Sequence, residues 1–242
     1  MKGLLIFASN TDCGKTLLSA GLVRAALSRQ ISCKYIKPVQ TGVVSGPESD
    51  EADAMKIRKW TKLDRVETLV YFKDPVSPHL AAAKENRKVS SYEIRQKLAQ
   101  SVIGSNGLTI IETAGGVLSP FPDEIPAADA LQLSSTKMNL RTILVGDSRL
   151  GGISQTLAAL EALESRRYDV CSLVLFSPDE LEMSYGNEQY LKKRLIRNPP
   201  VRRILTPIPK GDEDIHPSFF ENPVFDEILS DALDLDHDRR RI

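Results

Sequence analysis

A Gly-Lys-Thr triplet, Gly14-Lys15-Thr16, stands between an apolar run at residues 3–8 and a helical pattern at residues 16–28, and few folds use such a junction. An apolar run bounded by a polar loop reads as a parallel strand covered on both faces. The helical stretch carries Leu17, Leu18, Ala20, Leu22, Val23 and Ala26, much apolar surface for one helix. In that setting the triplet has a mechanical meaning. Backbone N–H groups of the loop and helix N-terminus wrap a phosphate, Lys15 reaches the outer phosphates, and the Thr16 hydroxyl coordinates Mg²⁺. The regular form of the loop has a glycine five residues before Gly14, where this chain has Ser9. The flanking elements therefore carry the reading, against a chance Gly-Lys-Thr at a helix start.

The rest of the chain continues the alternation. A strand at Cys33–Lys37 precedes a loop with Pro38 and Gly42, then a helix over residues 51–61. A short helix over 76–84 is entered through Ser77-Pro78, with proline at a tolerated early position. Residues 90–101 form a helix opened by a capping box, Ser90 with Glu93. A buried strand, Leu108–Glu112, ends on an acid. A helix over 129–136 follows, then strand and helix in turn at 141–147, 154–166, 170–176, 184–197 and 202–206. This spacing predicts an α/β chain, one mostly parallel sheet with helices on both faces and right-handed crossovers. At 242 residues one domain is the economical reading, folding removing roughly 70–75% of the unfolded chain's surface. That domain spans 1–210. Residues 211–242, a helix near 225–233 and a charged tail, belong to it or form a linker.

Lys+Arg and Asp+Glu are 32 each, a zero net charge that argues against a nucleic-acid binder. No run reaches the ~18 apolar residues of a membrane helix. Three scattered cysteines, Cys13, Cys33 and Cys171, fit a reducing compartment without disulfides or a zinc site. The expectation is a soluble, cytoplasmic protein.

A phosphate-bound Mg²⁺ needs oxygen ligands. Glu112 ends a buried strand, where a ligand at a sheet's switch point would sit. A carboxylate there is costly unless paired or bound; a solvated strand-end acid is the alternative. On spacing alone Asp53 reads first as a charged helix start. Lys37, at the end of its strand, could offer a second positive charge to a transferring phosphoryl group, or snorkel to the surface. His79 most simply packs a helix start, with a general-base role as the alternative.

Together these residues resemble the dethiobiotin synthetases, P-loop enzymes that close the ureido ring in biotin synthesis, over roughly residues 2–210. Ala8-Ser-Asn-Thr-Asp-Cys-Gly-Lys-Thr16 matches the family's shifted loop Gly-Thr-Asp-Thr-x-Val-Gly-Lys-Thr. Lys37-Pro38-Val39 with Thr41-Gly42 looks like Lys-Pro-Val…Ser-Gly, and Asp53-Ala54 falls at an Asp-Ala metal ligand. Pro75-Val-Ser-Pro-His79 is similar to Pro-x-Ser-Pro-His, and Glu112-Thr-Ala-Gly-Gly116 to Glu-Gly-Ala-Gly-Gly. Leu150-Gly151-x-Ile153 resembles the loop before the helix of the family's dimer contact.

The resemblance implies a reaction. One amine of 7,8-diaminopelargonic acid takes up CO₂ as a carbamate, whose oxygen attacks the γ-phosphate of ATP. The second amine then displaces phosphate as the ring closes. Lys15 and Lys37 would flank the transferred phosphoryl group, and Thr16, Asp53 and Glu112 would hold Mg²⁺. Asp12, Cys13, Gly14, Lys15, Thr16, Leu17, Glu112, Thr113, Ala114, Gly115 and Phe176 would surround ATP. Thr11 and Thr41 would bond the diamine or carbamate, and Leu150, Gly151 and Ser154 the substrate carboxylate across a homodimer interface.

Four departures bear on this. Ala8 replaces the loop's first glycine and would crowd a left-handed turn. Thr113 replaces a glycine and would narrow the space beside the phosphates. Phe176-Ser177 replaces an Asn-Asp that contacts adenine, leaving Phe176 to stack the base. Ser154 replaces an asparagine, making the carboxylate contact shorter or water-mediated. Two other readings stay open: a degenerate nucleotide-binding module, and a dimerising ATPase switch. Residues 185–191, 198–201 and the charged end 236–242 look like eukaryotic fused forms, in which an aminotransferase follows on the same chain and a mitochondrial location becomes an option.

Overall fold

A computed structural model of the chain describes residues 2–103, 106–132, 139–177, 182–195, 200–205, 215 and 217–233. Among them, seven strands form one parallel sheet in the order β3-β2-β4-β1-β5-β6-β7. The strands are β1 (Lys2–Ala8), β2 (Cys33–Lys37), β3 (Val66–Thr68), β4 (Leu108–Glu112), β5 (Asn139–Gly146), β6 (Val170–Ser177) and β7 (Val201–Leu205). The helices are α1 (Lys15–Ser28), α2 (Asp53–Thr61), α3 (Pro78–Lys84), α4 (Ser91–Val102), α5 (Ala127–Ala130), α6 (Gly152–Ser165), α7 (Glu182–Arg194) and α8 (Val224–Leu233).

Successive strand residues face opposite ways, so apolar runs feed two cores. Leu4, Ile6 and Ala8 of β1 pack under α1, α2 and α8. Leu5 and Phe7 pack on the other face with Ile94 and Leu98 of α4 and Leu160 and Leu163 of α6. Phe225 of α8 lies over Gly21 of α1, where a Cβ would come within 2.1 Å of its ring. The capping box holds: Ser90 Oγ accepts from the Glu93 N–H, and the Glu93 carboxylate accepts from the Ser90 N–H.

Strands β2 and β4 have the expected bounds. Five differences stand out. α2 begins at Asp53 rather than 51, and α3 at Pro78 rather than 76. The helix expected over 129–136 is the short α5, entered from Pro126, and 133–136 lie outside the described residues. The edge strand β3 and a 3₁₀ turn, Pro217–Glu221, were not anticipated. The charged tail 236–242 and Pro199 also lie outside the described residues, as does nearly all of 206–216 except Ile215. No helix among the described residues is long and apolar enough to cross a membrane.

Candidate active site

The carboxyl ends of β2, β4 and β1 are neighbours in the sheet, so Lys37, Glu112 and the Ser9–Gly14 loop open into one crevice. The cleft above them has a volume of about 880 Å³ and takes in Lys15, Thr16, Lys37, Asp53 and Glu112. At Gly14 the chain turns into α1 with φ +97°, and a Cβ would lie 2.6 Å from the Phe176 ring. Glycine is therefore required twice over, by conformation and by contact.

Glu112 is the hub. It is fully buried, and each carboxylate oxygen is shared. Oε1 accepts from the Thr16 hydroxyl at 2.8 Å and from Lys37 Nζ at 2.8 Å. Oε2 accepts from Ser19 Oγ at 2.7 Å and from the Tyr35 phenol at 3.0 Å. The Lys37 ammonium also lies 2.6 Å from Asp53 Oδ2. Burial alone would pull the Lys37 ammonium down, but the Asp53 and Glu112 carboxylates more than offset it and raise it. Burial pushes the Asp53 carboxyl up, and Lys37 outweighs that and holds it low. Lys15 donates to the Gly115 carbonyl at 2.9 Å. Burial, then the like charge of Lys37, lowers its ammonium. The snorkelling alternative for Lys37 and the solvated alternative for Glu112 both fail on burial.

Thr16, Asp53 and Glu112 therefore converge as hard oxygen donors, with an ammonium already lying between the two carboxylates. A divalent cation fits that donor set. Among the described residues no three His, Cys, Asp or Glu side chains gather to hold a metal alone, so an ion here would also draw on phosphate oxygens.

The other expected residues divide. Thr11, Asp12, Leu17, Thr41, Ala114 and Gly115 line the cleft. Cys13 turns its thiol into the core, 6% exposed, within 3.6 Å of the Thr11 carbonyl. Leu150, Gly151 and Ser154 lie at the start of α6, outside the cleft, with Leu150 89% exposed. His79 is half-buried at the start of α3 and does not line the cleft.

Three expectations about the departures are corrected. Ala8 is the last residue of β1 and not left-handed, so its methyl packs in the core rather than crowding a turn. Thr113 points away from the cleft, its hydroxyl donating to the Ile6 carbonyl at 3.0 Å. Phe176 is 1% exposed, its ring sealed beneath Gly14, and offers no face for a base. Residues not anticipated are Ser19 and Tyr35 on Glu112, and Gln40, whose Oε1 accepts from the Asp53 N–H at 3.3 Å. Met55, Lys56 and Trp60 of α2 add a further wall. Beside the phosphate loop, Asp147 accepts from Arg149 Nε at 2.8 Å and from its Nη2 at 2.7 Å, and Arg149 Nη2 also donates to the Thr11 carbonyl.

A family model described as an AAA domain matches residues 2–213. The chain is 37% identical over 193 residues to a bifunctional dethiobiotin synthetase/adenosylmethionine-8-amino-7-oxononanoate aminotransferase of Emericella nidulans, covering 77% of this chain and 23% of that protein. It is 32% identical to a mitochondrial bifunctional dethiobiotin synthetase/7,8-diamino-pelargonic acid aminotransferase of Oryza sativa, covering 97% and 34%. The chain thus spans a quarter to a third of these fused relatives. It is 32% identical over 180 residues to the ATP-dependent dethiobiotin synthetase BioD of Anaeromyxobacter dehalogenans, covering 72% of this chain and 76% of that protein. The cell division ATPase MinD of Pyrococcus furiosus superposes with a TM-score of 0.59 at 16% identity over 97% of this chain and 100% of that one, a likeness of fold.

Proposed function

Because the chain belongs to the dethiobiotin synthetase family, within the AAA-domain P-loop proteins, we propose that its cleft performs ATP-dependent carboxylation and ring closure of 7,8-diaminopelargonic acid. The observation that carries the reading is the Glu112 cluster. The phosphate-loop threonine, two acids and a second buried lysine meet in one cleft. In a hydrolysing switch that second lysine would have only the structural task of pairing the two acids.

In this reading the chain's residues position and neutralise charge, which is most of what phosphoryl transfer requires. Lys15 and Lys37 flank the transferred group. Thr11 and Thr41, both on the cleft wall, hydrogen-bond the diamine or its carbamate. Ser19 and Tyr35 hold Glu112 in one orientation. Thr16, Asp53 and Glu112 would hold Mg²⁺, which supplies charge neutralisation for the phosphates. Ala8 and Thr113 keep clear of the cleft, which removes two arguments for a degenerate module.

The exposed Leu150, with Gly151 and Ser154, would meet a second copy and bind the substrate carboxylate there. We read residues 1–210 with α8 as one domain, located in the cytoplasm or, as in plant relatives, mitochondria. Fusion or association with the aminotransferase that makes the diamine fits the bifunctional relatives.

ADP release from MgATP and bicarbonate, measured with and without the diamine, tests the reading. Release that requires the diamine is expected. Diamine-independent release would favour the switch, and nucleotide binding without release the degenerate module.

A further inference from the structure

The cleft has two kinds of lining. Lys15, Thr16, Lys37 and the acids are polar or charged, and Leu17, Met55, Trp60 and Ile215 add apolar and aromatic surface. Leu17 directly follows Thr16, so apolar lining begins one residue beyond the phosphate-loop threonine. A nucleoside triphosphate offers the same two kinds of surface, a charged chain joined to a flat, stackable base. At about 880 Å³ the cleft is in the size range of small-molecule sites.

Phe176, the aromatic residue expected to meet the base, is shut beneath Gly14. Trp60 is placed differently. It is half-buried, it lines the cleft, and its ring is backed by Phe220 with centroids 6.0 Å apart and planes at 35°. Phe220 in turn meets Phe219 edge-on at 5.0 Å. The indole is thus braced by an aromatic pair, and the residue also borders the cleft.

We propose that Trp60 is the stacking platform for the base of the bound nucleotide, in place of Phe176. The proposal rests on the reading of the cleft as an ATP site. A braced indole loses little freedom on stacking, and a base on an aromatic face gains affinity whatever its edge pattern.

Trp60 is the chain's single tryptophan, so its emission reports on this position alone. The test titrates the full chain with MgATP and, separately, with inorganic tripolyphosphate, following tryptophan emission and calorimetric heat. ATP should quench or shift the emission, and tripolyphosphate, which has no base, should bind without doing so. Trp60→Ala should weaken ATP about tenfold and leave tripolyphosphate unchanged. Trp60→Phe, which keeps a ring, should fall between the two and serves if the alanine variant does not fold. Calorimetric ATP binding with unchanged emission and undiminished affinity in the variants would overturn the proposal while leaving the ATP site standing. Absence of heat with both ligands would overturn the ATP reading and the proposal together.

Discussion

Lys37 holds together two carboxylates, Asp53 and Glu112, that would otherwise repel one another beneath the phosphate loop. Removing one partner of such a buried set leaves uncompensated charge, a loss of about 3–5 kcal/mol. Lys37→Ala should therefore unfold at lower denaturant in EDTA, with Mg²⁺ restoring part of the difference. The variant should still bind MgATP and lose turnover, and unchanged turnover would end the catalytic assignment of Lys37. Asp147 makes a second prediction, about pH. Burial alone would raise its carboxyl, but the Arg149 bonds outweigh burial and hold it below the ordinary value. A carboxyl lowered in the folded state stabilises above its unfolded value of about 4 and loses that contribution as pH falls through the folded value. Asp147→Asn should be less stable than the parent at pH 7, and the gap should close below about pH 4. Equal stability at pH 7 would contradict this.

Strand ends place two of the family departures clear of the phosphate cleft. Ala8 ends β1 in extended backbone, and Thr113, just past β4, ties its hydroxyl back to Ile6 of β1. Restoring glycine at either place should not raise turnover; Ala8→Gly should destabilise by about 1 kcal/mol through backbone freedom, and Thr113→Gly by more, because it also removes the buried bond to Ile6. A clear gain in turnover for Ala8→Gly or Thr113→Gly would show that these side chains do intrude. The same elements show what a sequence discloses. β4, Leu-Thr-Ile-Ile-Glu, was legible as a mostly apolar run ending in a charge, and β2, Cys-Lys-Tyr-Ile-Lys, as a short β-prone stretch stopped by Pro38. β3 was not, since a three-residue, half-exposed edge strand such as Val66–Thr68 carries no periodicity. Lys15, Lys37, Asp53 and Glu112 were legible from their motifs and strand-end positions. Ser19 and Tyr35 were not, because their shared partner lies 93 and 77 residues away. A buried tyrosine or helical serine has an ordinary packing explanation in any window. Phe176 was misjudged for a related reason: a strand-end aromatic can face the cleft or the core, and only Gly14 against its ring decides which.

At the scale of the molecule, the seven-stranded sheet sets three strand ends side by side and leaves Leu150 outside them, 89% exposed. If the substrate carboxylate is bound between two copies, Leu150→Asp should shift sedimentation from dimer to monomer and raise KM for the diamine while the chain stays folded. A parent chain that sediments as a monomer under turnover conditions would contradict the shared site. In the function proposed above, the cleft would transfer the γ-phosphoryl group of ATP to a carboxylated substrate rather than to water. Turnover with freshly dissolved C¹⁸O₂, the diamine and MgATP, followed by mass analysis of the released phosphate, tests it directly. A carbamate oxygen that attacks phosphorus leaves with it when the ring closes, so phosphate should carry one ¹⁸O derived from CO₂ for each dethiobiotin formed. Phosphate that draws its new oxygen from water instead would mean hydrolysis, and would contradict the account.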